Sequence, residues 1–97
     1  MTTAEVPLDA RPQLASKARL RTDRASGETL LLYPERGLKL NPTGVAVLQL
    51  CTGALTVAEI AAALAAQHGG DLDRILVEVR EFLGQLAARG LLRGMTP

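Results

Sequence analysis

Chemistry in a chain of 97 residues would have to start from very few groups: one cysteine, Cys51, one histidine, His68, and a close pair of carboxylates, Asp71 and Asp73. A nucleophile–base pair would join Cys51 or a serine to His68. In LQLCTG, however, Cys51 closes an apolar helical face, where a free cysteine packs as a small inert hydrophobe. His68 falls at a helix C-terminus and is suited to meeting free carbonyls there. Asp71 and Asp73 belong to a first helical turn, where negative charge is favourable without any catalytic role. A lone cysteine and a lone histidine build no metal cage, and neither Gly-x-Gly-x-x-Gly nor Gly-x4-Gly-Lys-Ser/Thr occurs to cradle a phosphate. We expect no enzyme, no cofactor and no metal site.

Composition narrows the remaining classes. With 47% apolar residues the chain can build one core, and at this length only one. Aromatics make up 2%, too few for the stacking platforms that bind single-stranded nucleic acid. Eleven Lys and Arg stand against ten Asp and Glu, so a net charge of +1 gives no field to attract polyanions. The first residues lack the basic and apolar regions of a signal peptide, and no apolar run approaches the roughly 20 residues of a membrane span. A single cysteine fits a reducing compartment. The expectation is a cytoplasmic protein that binds neither membrane nor nucleic acid.

The elements that position these residues follow from periodicity. Residues 1–13 have none and are expected as a flexible tail before a domain over 14–93, with a second tail over 94–97. Alternation predicts strands over 18–23, 29–33 and 37–41, joined as a three-stranded antiparallel meander. Asn41 and Pro42 form a cap and first residue for a helix over 42–51, with Leu40 and Val45 placed as a hydrophobic staple. Thr56 to Glu59 is a capping box for a second helix that stops at His68-Gly69-Gly70. Asp71 caps a third helix that reaches Arg89, with Gly90 at the position after it. Its apolar stripe (Leu72, Ile75, Leu76, Val79, Phe82, Leu83, Leu86) is wider than packing on one small sheet requires.

Strands followed by three helices make an α+β fold that is winged helix-turn-helix-like, which raises DNA binding as a rival reading. Against it, the would-be reading helix mixes Asp71, Asp73, Glu78 and Glu81 with Arg74, Arg80 and Arg89. The other opportunity is the edge of the sheet. If the third strand (Gly37, Leu38, Lys39, Leu40, Asn41) lies there beside the wide helical stripe, its unpaired backbone can take a guest strand. Lys39 could equally serve only to protect that edge from aggregation, and the same edge could pair two copies into a homodimer.

RPQL at 11–14, RLRTD at 19–23, LLYPERGLKLN at 31–41, LQLCTG at 48–53, TVAEIAAAL at 56–64 and FLGQLAARGLL at 82–92 together resemble the D protein family of pyrroloquinoline quinone (PQQ) biosynthesis, PqqD. The likeness runs in register over residues 11–93, and LLYPERGLKLN is its most specific part. It departs at Thr52, where an acidic residue is expected, and at Pro42 and Gly44. The resemblance implies a peptide chaperone, a recognition element for ribosomally made peptides. Such a protein binds the precursor peptide PqqA and presents it to the radical S-adenosylmethionine (SAM) enzyme PqqE for Glu–Tyr cross-linking. It further implies that the peptide adds a strand beside Gly37, Leu38, Lys39, Leu40 and Asn41 and packs on Leu72, Ile75, Leu76 and Val79. Arg74 or Lys39 would then meet acidic residues of the peptide.

Overall fold

The computed structural model describes residues 6–33 and 36–95. Three strands, β2 (Arg19–Thr22), β3 (Thr29–Tyr33) and β4 (Arg36–Leu40), pair antiparallel in the order β2-β3-β4, and three helices follow. This is the α+β arrangement that the alternation and the capping signals predict. In the register, Leu20 faces Leu31 and Leu31 faces Leu38, so one leucine from each strand lines up across the sheet. That row turns inward: Leu31 is fully buried, and Leu20 and Leu38 pack against the core. On the other face Arg21, Leu30 and Lys39 align, and Lys39 Nζ pairs with Glu28 Oε2 at 3.1 Å.

Each helix starts where its cap predicts. Asn41 Oδ1 accepts the Gly44 amide at 2.7 Å and Pro42 opens α1 (Pro42–Gln49). At α2 (Val57–His68) both arms of the capping box close: the Glu59 amide donates to Thr56 Oγ1, and the Thr56 amide donates to Glu59 Oε1. Asp71 Oδ1 accepts from the Asp73 amide at the head of α3 (Leu72–Ala88), which ends at Arg89 with Gly90 at φ 74°. Helices α2 and α3 pack against each other, and Val57, Ile60, Ala61 and Leu64 of one and Val79, Leu83 and Leu86 of the other are buried in the common core. The broad stripe of α3 therefore divides. Val79, Leu83 and Leu86 are core, whereas Ile75, Leu76 and Phe82 are half-covered and Leu72 is 47% exposed.

The N-terminal segment differs from the expected tail. From Val6 onward it is a strap: Val6, Ala10 and Pro12 are buried. A two-residue strand, β1 (Gln13–Leu14), pairs antiparallel with β5 (Leu92–Arg93), near the end of the chain. The strap's carbonyls do much of the joining. Ala10 and Leu8 accept the first two amides of α2, from Val57 and Ala58, at 2.9 and 3.1 Å. With Glu59 on the Thr56 hydroxyl, each of the first three α2 amides has a partner, where a helix N-terminus otherwise leaves them unmet. Pro12 accepts from Gly53, Arg80 Nε donates to Val6, and the Arg11 amide donates to the Gly94 carbonyl. An added Cβ at Gly94, whose φ is 75°, would collide with the Arg11 carbonyl oxygen. The packed body accordingly runs from Val6 to Met95 rather than over 14–93; residues 1–5, 96 and 97 of the expected tails lie outside the described residues. The strap was hidden because its partners are distant in sequence and its own residues follow no period.

Candidate functional site

Strand β4 is the edge of its sheet, and no described strand pairs with its outer side. Alternate residues of such an edge turn an amide and a carbonyl away from the sheet. Two hollows lie near its ends, and they share no lining residue. One, of about 540 Å³, has Asn41, Pro42 and Gly44 on one wall and Ile75, Val79 and Phe82 on the other, with Leu64 and His68 at its end. The second, of about 600 Å³, is lined by Tyr33, Arg36, Gly37, Leu38 and Arg89. Gly37 thus lies near the C-terminal end of α3 and Asn41 near its N-terminal half, so β4 and α3 run past each other in opposite senses.

Local sequence builds both walls. The Asn41–Pro42 cap bends the chain from β4 into α1, and Gly44 lets that first turn approach the ring of Phe82: an added Cβ would stand 3.2 Å from its Cζ. On α3, Ile75, Val79 and Phe82 recur at helical spacing and form a continuous apolar ridge. Ile75 and Phe82 are half-covered, but Val79 is only 3% exposed and serves the core as much as the groove.

Of the residues expected to meet a peptide, the structure brings Asn41, Ile75 and Val79 together in the first hollow and Gly37 and Leu38 in the second. Leu40 is half-buried against the core. Lys39 points to the opposite face of the sheet, toward Glu28, and Leu72 and Leu76 line neither hollow. Arg74 is held at 3.8 Å from Glu78 on the exposed side of α3. Other lining residues lie outside that expected set. Phe82 belongs to the apolar stripe one helical step beyond Val79, so spacing alone points to it; Arg36 and Arg89 carry no such signal, because only the fold brings them together.

The groups that could have supported catalysis are not assembled. Cys51 is buried, its Sγ donates to the Val47 carbonyl at 3.3 Å, and burial pushes its thiol up to about 12. His68 ends α2 at the mouth of the groove, and Asp71 is occupied in capping α3. Among the described residues no group of three His, Cys, Asp or Glu could hold a metal ion, and no helix is long and apolar enough to cross a membrane. The arrangement offers strand pairing, apolar contact and charge.

The chain is similar to known proteins over most of its length. The family model described as "Coenzyme PQQ synthesis protein D (PqqD)" matches residues 28–92. A PqqA binding protein of Xanthomonas axonopodis pv. citri is 38% identical over 85 residues, covering 88% of this chain and 92% of its own. Another, from Rhodopseudomonas palustris, is 42% identical over 82 residues, covering 84% and 80%. Among solved structures, the PqqD truncation of Methylobacterium extorquens PqqCD, described as a functional and stand-alone recognition element for ribosomally synthesized and post-translationally modified peptides, superposes with a TM-score of 0.80. It has 32% identity and covers 96% of this chain and 99% of that one. TbiB1, solved with the TbiA(beta) leader peptide, shares the fold at a TM-score of 0.73 and 22% identity, covering 88% of this chain and 99% of that one. A match over most of the chain and relatives well above 30% identity make this protein a member of the PqqD family.

Proposed function

We propose that this protein is a peptide chaperone of PQQ biosynthesis, which takes the ribosomally made precursor PqqA as an added strand on β4 and presents it to the radical SAM enzyme PqqE for Glu–Tyr cross-linking. The observation that carries the reading is the unpaired edge of β4, with a hollow near each end of the strand and an apolar ridge of α3 lining the one next to Asn41. Backbone pairing along Gly37, Leu38, Lys39, Leu40 and Asn41 supplies generic strand addition, and Ile75, Val79 and Phe82 offer apolar contact to every second side chain of the guest. Relatives whose names state that they bind PqqA support the choice of guest. The protein's own part is to bind and orient, with the bond-forming chemistry left to the enzyme.

Lys39→Pro tests the edge, because proline lacks the amide that a guest strand would use. Its affinity for synthetic PqqA should fall at least tenfold in calorimetry while circular dichroism reports an unchanged fold. Ile75→Asp, at a half-covered wall position, should weaken binding similarly. Unchanged affinity in both folded variants would exclude this groove as the peptide site.

A further inference from the structure

We infer that Arg36 and Arg89 form a clamp for a carboxylate at one end of β4, so that the bound peptide carries an acidic side chain beside Gly37. The two arginines come from different elements, the first residue of β4 and the residue that closes α3, and they line one hollow with Tyr33, Gly37 and Leu38. Strand alternation places Arg36 on the same face as Leu38 and Leu40, the face that packs toward the core. Both residues are exposed, and the ion pairs among the described residues, Lys39 with Glu28 and Arg74 with Glu78, use neither.

Each arginine alone has an ordinary role. Arg89 complements the negative end of α3, and Arg36 places charge on an edge strand. Neither role requires the two to share a hollow beside the strand where a guest would pair. Two planar guanidinium groups lining one hollow suit a carboxylate, which accepts paired N–H donors from such a group. The other hollow differs, with Glu78 and His68 among its lining residues. An acidic side chain is thus favoured at the Gly37 end and not at the other, where Glu78 already pairs with Arg74; that preference fixes the register of a strand that backbone pairing alone would leave free to slide.

The inference rests on the peptide reading above, and one titration series separates the two. The probe is synthetic PqqA, with a set in which each Asp or Glu is replaced singly by Asn or Gln, measured by fluorescence anisotropy against the wild-type protein and the exposed-site double variant Arg36→Gln/Arg89→Gln. One amide replacement should weaken binding to the wild type about tenfold, and that replacement should make less than a twofold difference to the double variant. Retained binding with every replacement within twofold, or a loss equally large in the double variant, would overturn the clamp and leave the groove standing. Failure of unmodified PqqA to bind the wild type at all would overturn the peptide reading, and the clamp with it.

Discussion

Cys51 illustrates how much one residue's environment decides. Its Sγ–H meets the Val47 carbonyl inside the core, and burial alone lifts the thiol from its ordinary 9.0 to about 12. The group stays neutral and unreactive near neutral pH, so Ellman's reagent at pH 8 should label the native protein only as fast as it unfolds. Because the folded value lies above the unfolded one, the contribution to stability is complete below pH 9.0 and is lost as pH rises toward 12. Cys51→Ala should remove that part of the alkaline destabilisation, as read from urea midpoints across this range. The inert role was legible in LQLCTG, since the apolar neighbours are local. The hollow shared by Arg36 and Arg89 was not, because it depends on how β4 lies relative to the end of α3.

At the level of elements, the caps were the most readable features: Asn41, Thr56, Asp71 and Gly90 act on backbone groups within a few residues of themselves. Thr56→Ala should cost about 1 kcal/mol in chemical denaturation, since it opens one arm of the box. The other arm depends on pH. Glu59 is held below its ordinary 4.5 by hydrogen bonds from the Thr56 amide and hydroxyl, with Arg11 adding a smaller attraction. Its contribution is present above pH 4.5 and is lost as pH falls through the lowered value, so Glu59→Gln should lessen the loss of stability in acid. Periodicity could not divide the α3 stripe, because core and groove lie on adjoining faces of one helix. The register of neighbouring elements decides it, burying Leu83 and Leu86 and leaving Ile75 and Phe82 half-covered at the hollow next to Asn41. This is also why Ile75, rather than the nearly buried Val79, is the informative wall position for a charge.

Across the whole molecule, the strap over residues 6–14 ties together parts that the sheet does not reach. It supplies carbonyls to α2 and to Gly53, receives Arg80 from α3 and pairs with β5. Removing residues 1–12 would unmask the Val57 and Ala58 amides and uncover the core at Val6, Ala10 and Pro12. We therefore expect such a truncation to lower the thermal midpoint by at least 10 °C, a loss of a few kcal/mol for a domain of this size, or to leave the chain unfolded. A midpoint within 2 °C of the intact protein would contradict that role. None of this could be read from VPLDARPQL, whose contribution lies in main-chain oxygens and in buried side chains that follow no period. The β1–β5 pairing has a different consequence: segments from the two halves of the chain meet side by side, at Gln13 with Arg93 and Leu14 with Leu92. Held by that pairing, the two segments can be joined to further polypeptide without straining the three-stranded sheet, which neither of them enters.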